Sequence, residues 1–591
     1  MGYFPKRHAI SAPFQSAEVF RDFIRAPKAV DGRETIGNEK WSNRDLEPTP
    51  PEERTWTAIN LPMYWFTNMF SVTGWNVAAS LIAVGLTWQQ AFISAVLGCL
   101  LSSLAIVFMA RPGVMYHVGY PIIARAAFGM YGSYFFIFIR AVVCIIWYGV
   151  QSFYGANLVS VCFRCIFGDL WTKWPNALPA SAHVTSKQLL GFFIVWLAEF
   201  PFMFIHPTKI RHLFTIKGII MPIATFGFFG WAMANGAGLG SLDTANRAGG
   251  ESCCDHHARV GCHGSSVLIC LQNGINVIMG TLSPMLVNQP DLARYCQKPW
   301  HAGALQGIVA FTAKVLVLFL GLASTAVLTP TLGKAYWNLW DLLDAILDHY
   351  WGPAARGGVF LVSLSFLVAV IATNFGSNSI PFGADLTGLF PRYMTIKRGQ
   401  VLCAILGVAV VPWELLASAQ AFLSFLGSYN IFMAPLCGII ITDYVWAKAG
   451  NYHIPSAYNG TKSGAYWYWG GINWIAVLAW VGGMSLGLPG LVAQYQPQAV
   501  SQAAKDLYKL GWIITFTAAS VLYAFMTFFI KPRILPAGYE GAPLSFEYMA
   551  KNGREGFLDG ERDGVGVAVS PVLTATRVGS KDRENISEMK V

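Results

Sequence analysis

Charge is scarce in this chain. Of its 591 residues only 12% are Asp, Glu, Lys or Arg, about half the share usual for a soluble globular protein, while 54% are apolar and the mean hydropathy is +0.45. That deficit excludes a water-soluble enzyme. No cleavable apolar leader is visible either: residues 1–57 are polar, with Arg, Glu, Asp and Pro throughout, so the first apolar segment is expected to act as the insertion signal. Nor do the eleven Cys follow a secreted disulfide pattern. Cys99, Cys144, Cys403 and Cys437 lie inside apolar runs, where thiols pack as small hydrophobes. The net charge of +10 is carried mainly by two polar tails and short loops, which points to membrane topology and to no nucleic-acid partner.

What is abundant is apolar sequence in lengths that fit a bilayer, whose hydrocarbon core takes about 20 helical residues to cross. Candidate spans fall at Leu61–Leu86, Ala91–Ala110, Tyr134–Phe163, Gln188–Ile205, Ile219–Gly238 and Ser265–Leu286. Six more fall at Gly303–Leu328, Gly357–Ile380, Gln400–Pro412, Ser418–Thr442, Tyr466–Leu488 and Gly511–Ile530. The expected fold class is therefore all-α integral membrane with twelve transmembrane helices, in contact with the lipid bilayer. Residues 1–57 form an N-terminal tail, 58–445 a ten-helix core with an irregular insertion near 248–272, 446–530 helices eleven and twelve, and 531–591 a disordered tail without apolar periodicity. An even count leaves both tails on one side. Nine cations precede the first span, and Lys and Arg favour the cytoplasmic side, so both ends are expected inside.

Two spans contain interruptions that a plain anchor would avoid: Ser71-Val-Thr-Gly74 in the first, and Gly274, Gly280 and Pro284 in the sixth. Breaks at matched positions of two halves point to a transporter's midplane site; ordinary kinking is the alternative. Polar side chains inside spans are costly unless they face protein or a cavity. Trp147 and Gln151 share one helix face at i, i+4 spacing, as do Thr373 with Ser377 and Asn374 with Asn378. A planar ring could stack on Trp147 while the amides read its edge. Equally, such amides can bind helices to one another.

Further residues carry a resemblance. Trp41-Ser-Asn43-Arg-Asp45-Leu46-Glu-Pro48-Thr-Pro50, Arg54-Thr-Trp56, Ser80-Leu-Ile, Gly85-Leu-Thr-Trp88, Ala110-Arg-Pro-Gly113, Tyr120-Pro, Ala127-Phe-Gly129, Asn288-Gln-Pro-Asp291, Asp385-Leu and Pro391-Arg-Tyr393 together resemble the nucleobase-cation symporter-1 family, in particular its fungal uracil, allantoin and uridine permease branch. The resemblance runs over about residues 41–445. It implies a LeuT-like fold of two inverted five-helix repeats plus two C-terminal helices, a plasma-membrane location, no cofactor and cation-coupled import of a small heterocyclic substrate. It also implies roles. Trp147 matches the stacking tryptophan, Gln151 and Asn378 the hydrogen-bonding amides, and Leu282 a second stacking position that is aromatic in many members. Asn374 or Thr373 would support the site or link ion to substrate.

Ala369, Ala372 and Thr373 match the sodium-binding positions of span eight. A hard cation wants several oxygen ligands, and Ala372 offers no hydroxyl, so the coupling ion is expected to be a proton, with sodium as the alternative. Arg140 and Lys314 are cations inside spans, either titrating groups or side chains that snorkel to the interface. Asp45 and Glu47 are expected to form an inner lid by pairing with Lys209, Arg211 or Lys217.

Cys253, Cys254, His256, His257, Cys262 and His263 lack zinc spacing, and no metal site is expected; residues 248–272 read instead as an insertion or a gene-model error. The rival readings are a sodium-coupled or broader carrier for thiamine, hydantoins or purines, a receptor that binds without transport, and a membrane-embedded enzyme. Nothing in the sequence signals an oligomeric state.

Overall fold

The computed structural model describes residues 25–26, 36, 39–83, 86–205, 211–238, 263–539, 543, 545–551 and 555–558. Among these the chain is helical, with only two isolated β-bridges, Trp56 to Cys296 and Trp469 to Ile472. Nine helices among the described residues are long and apolar enough to cross a membrane.

The first expected span is two helices, α1 (Asn60–Met69) and α2 (Val72–Ala83), joined through Phe70 and Ser71. The break has local causes. Ser71 Oγ accepts the Gly74 N–H at 3.2 Å, which starts α2 afresh. At Gly74 a Cβ would stand 2.8 Å from the Met69 carbonyl, so only glycine lets the chain fold back this closely. Next come α3 (Trp88–Tyr116), opened by a Thr87/Gln90 capping box, then α4 (Tyr120–Phe128), α5 (Gly132–Phe167), α6 (Ser186–Glu199) and α7 (Arg211–Asn235).

Span six departs from expectation. α8 (His263–Val287) is a continuous helix through Gly274, Gly280 and Pro284. Its glycines serve close approach instead: a Cβ on Gly274 would meet Ser94 Oγ at 2.5 Å, and one on Gly280 the Leu426 carbonyl at 2.5 Å. Small residues at membrane helix interfaces commonly play this part. α9 (Gln289–Ala293) and α10 (Ala304–Leu332) follow, and α10 packs along both α1 and α2.

α11 (Leu339–His349) lies between α10 and α12 (Pro353–Asn374). α12 passes into a π-helical turn, Phe375–Ser379, and then α13 (Ile380–Leu389). π-Bulges inside helices recur at functional sites, and this one carries Ser377 and Asn378. The chain closes with α14 (Ile396–Val408), α15 (Ala419–Ser428), α16 (Asn430–Thr442), α17 (Trp474–Tyr495) and α18 (Gly511–Phe529). α17 begins eight residues later than the expected Tyr466, because Tyr468, Gly470 and Gly471 have positive φ and the Asn473 side chain caps the helix by accepting from Ala476 N.

Arg140 does not snorkel. It is fully buried in α5 and donates to Asp385 of α13 at 2.5 to 2.9 Å and to Asp291 of α9 at 2.7 Å. Part of the segment expected to be a disordered tail is also packed on the fold. Glu547 is buried against Arg111 at 2.6 Å and Tyr444 at 2.8 Å, and Glu555 pairs with Arg54 at 2.7 Å.

Candidate functional site

A small cavity lies where α1, α2, α5, α8, α10, α12 and the π turn meet. Trp147 and Gln151 border it from α5, Leu282 from α8, Thr373 from the end of α12 and Asn378 from the π turn; Asn68, Ser71 and Thr73 close it beside the first-span break. Its volume is about 30 Å³, room for a water or two and far short of the several hundred Å³ of a ligand-filled pocket. The site is contracted. A much larger groove of about 800 Å³ runs between α7 and α12, but it is lined mainly by apolar side chains such as Ile223 and Leu361 that are exposed on the helix surface, and it gathers no chemistry.

The amides are held in defined directions. Gln151 Nε2 donates to Thr73 Oγ1 at 3.1 Å, and Asn378 Nδ2 donates to Asn374 Oδ1 at 2.9 Å. Neither carbonyl oxygen, Gln151 Oε1 or Asn378 Oδ1, accepts a hydrogen bond among the described residues, so both are able to accept one. Ser377 ties α1 to the π turn: its hydroxyl lies 3.2 Å from Tyr64 Oη and donates to Asn68 Oδ1 at 3.2 Å.

Of the two places the sequence allows Asn374, at the ring's edge with Asn378 or in support of the site, it takes the second. It lies behind the cavity, its amide donating to Tyr148 O at 3.2 Å, Ser152 Oγ at 3.0 Å and Glu199 Oε1 at 3.0 Å, while its oxygen receives Asn378. It does not border the cavity, and it holds the Asn378 amide in place. Glu199, buried at the end of α6 and also bound by Ser152 at 2.9 Å, belongs to this support and escaped the sequence reading. The signal was available: it is the one carboxylate inside the candidate span 188–205.

The expected ion positions lie against a protein amine. Lys217, read from the sequence as a loop residue available to the lid, lies within α7 and is fully buried, with Nζ 2.5 Å from Thr373 Oγ1. That hydroxyl donates in turn to the Ala369 carbonyl at 2.8 Å, and Ala372 is buried beside it with no oxygen to offer from its side chain. Arg211 begins α7 but its side chain, like all of Lys209, lies outside the described residues.

The two carboxylates expected to form a lid therefore find other partners. Asp45 Oδ2 accepts the Ile396 N–H at 2.8 Å; Glu47 Oε1 accepts from Ser42 Oγ at 2.6 Å and Ile36 N at 3.0 Å. Burial pushes the Glu47 carboxyl above its usual range, against the pull of those two bonds. Arg294 grips the same segment through the Asp45 carbonyl at 2.8 Å, the Glu47 carbonyl and Thr49 Oγ1 at 2.6 Å. Asn43 adds bonds to Pro391 O at 2.7 Å and Met394 O at 2.9 Å. Residues 43–49 thus bridge α9, α13 and α14 chiefly by backbone and neutral contacts, which charge pairing in the sequence could not reveal. The Cys/His run from Cys253 to Cys262 lies outside the described residues. Among the described ones, no group of three or more His, Cys, Asp or Glu could hold a metal.

Residues 48–515 match the family described as permease for cytosine/purines, uracil, thiamine, allantoin. The allantoin permease of Saccharomyces cerevisiae is 32% identical, over 82% of this chain and 75% of its own; the uracil permease of the same yeast is 31% identical, over 87% and 80%. Two solved structures of Mhp1 share the fold. The inward-facing form gives a TM-score of 0.61 at 20% identity, covering 83% of this chain and 94% of its own. The closed form with bromovinylhydantoin bound gives 0.59 at 21%, covering 83% and 96%. With a helical membrane fold, a polar cavity beside the broken first span and a family match over most of its length, this chain is a transporter that belongs to the family of permeases for cytosine/purines, uracil, thiamine and allantoin.

Proposed function

We propose that this transporter imports a nucleobase-type heterocycle of the uracil, allantoin or uridine class across the plasma membrane by proton symport, with both termini cytoplasmic and twelve crossings built as two inverted five-helix repeats plus two helices. The observation that carries the reading is the convergence of Trp147, Gln151 and Asn378 on one cavity beside the first-span break. The ring stacks on the indole, and its N–H groups meet the two unengaged amide oxygens. Because the cavity is contracted, binding requires α1, α2, α8 and α10 to part from α5 and α12, and alternating access follows from which end they part at.

Proton rather than sodium coupling is supported by Lys217. An ammonium on Thr373 Oγ1 fills the place where a hard cation would need oxygens, and a lysine can give up and regain a proton with each cycle. The test is uptake of labelled uracil, allantoin and uridine in a permease-deficient host, with and without protonophore and with sodium replaced. Protonophore-sensitive, sodium-independent accumulation of one of them, lost in Gln151→Ala at normal surface expression, is the expected result. Saturable surface binding without accumulation, or strict sodium dependence, refutes it.

A further inference from the structure

A third face of the cavity has no role so far. Lys314 of α10 borders the space, 2% exposed. Val317, one turn along the same face, lies 3.2 Å from where a Cβ on Gly74 would stand, so this face of α10 runs along the first-span break. Every other buried cation among the described residues is answered. Arg140 has two carboxylates, Lys448 has Asp443 at 2.7 Å, Arg125 has three carbonyls and Lys217 has the Thr373 hydroxyl. Arg294 has two carbonyls and a threonine. Lys314 Nζ has neither a hydrogen bond nor an ion pair among them. No carboxylate borders the cavity either: its described lining is amide, hydroxyl, aromatic, thioether and aliphatic apart from this one amine. Glu199 is held behind Asn374, and Asp291 and Asp385 are held by Arg140.

We propose that Lys314 is a specificity-determining residue: its amine receives an anionic or strongly polarised oxygen on the substrate ring, so the site favours acidic diketo heterocycles over neutral ones and refuses permanently cationic rings. The inference rests on the reading of this cavity as the substrate site. A buried amine without a partner is costly, and a ligand oxygen is the partner the cavity lacks. The division of labour is chemical. Gln151 and Asn378 offer acceptors to ring N–H groups, while Lys314 offers donors and no acceptor to an exocyclic oxygen, in a bond that strengthens when that oxygen is charged. A cationic ring would meet a like charge and find no counter-ion on the wall.

The test is binding to the purified full-length transporter, followed by thermal stabilisation and tryptophan fluorescence. The probes are uracil, barbiturate (its ionised 6-oxo analogue) and N-methylnicotinamide, a planar cation. Wild type should bind barbiturate more tightly than uracil and the cation not at all. In Lys314→Met the barbiturate-to-uracil affinity ratio should fall at least tenfold, and Lys314→Arg should restore most of it. An unchanged ratio in Lys314→Met, or cation binding to wild type as tight as uracil, overturns the proposal. Absence of binding by every probe to folded wild type overturns the reading of the cavity itself, whereas binding that Gln151→Ala weakens for all ring probes alike upholds that reading whatever Lys314 does.

Discussion

Replacing Lys217 with Gln tests the coupling mechanism directly. The substitution keeps a hydrogen-bond donor near Thr373 Oγ1, which also holds its bond to the Ala369 carbonyl, but it removes the group that can carry a proton. One lysine carries one proton, so each cycle of wild type moves one elementary charge with a neutral substrate. A charge crossing a potential of 100 mV is driven by about 2.3 kcal/mol, and every 1.4 kcal/mol is a tenfold ratio. Wild type in sealed vesicles with an interior-negative potential of that size should therefore concentrate labelled substrate roughly 50-fold. Lys217→Gln should bind substrate and exchange it across the membrane, yet reach only equal concentrations on the two sides. The assay is the plateau of uptake at fixed potential, with and without protonophore. A variant that still concentrates substrate in a protonophore-sensitive way would show that the proton travels elsewhere.

Gln151→Ala removes one of the two amides proposed to face the ring; at about 1–3 kcal/mol for a group of this kind, the affinity for the transported ring should fall about 5- to 150-fold in competition assays. Asn374→Asp puts a carboxylate where an amide now donates to Glu199 Oε1 at 3.0 Å; the repelled pair should release Asn378, lower thermal stability and raise the KM for uptake. Arg140→Met leaves Asp385 and Asp291 buried without a counter-charge, a loss of about 3–5 kcal/mol for a broken buried pair, and adding Asp385→Asn should recover part of the melting temperature. His117, in the loop after α3, is pushed down to about 4 by burial and by the Arg54 charge, against the opposing pull of Glu555. Unfolded chain binds this proton at pH values from about 6.5 down to about 4 and folded chain does not, so stability should fall on acidification through that window. His117→Gln should flatten the dependence in thermal melts between pH 7 and pH 5.

Much of the site was legible because a membrane makes polar residues conspicuous. Trp147, Gln151 and Asn378 are polar or aromatic positions on apolar helices, and helical spacing alone assigns them to faces. The same logic applies to Glu199, a lone carboxylate in an apolar run, although it was passed over. Lys217 was misassigned for a physical reason: it lies near the polar start of its helix, where a cation usually snorkels, and only the approach of α7 to Thr373 buries it. Asn374 illustrates another limit, since i, i+4 spacing shows that it shares a face with Asn378 but not which of the two meets the cavity.

Composition and periodicity by themselves determined that this is a multi-span helical membrane protein with a break in its first span, because apolar length, Gly and Ser are local properties read along one strand of chain. Tertiary structure alone decided which polar groups face the cavity, which are spent holding one another, and that Lys217 has a partner among the described residues where Lys314 has none. Those outcomes depend on contacts between residues hundreds of positions apart, such as Ser377 with Asn68, 309 apart, and a hydrogen bond responds to distance in space, not to separation in sequence.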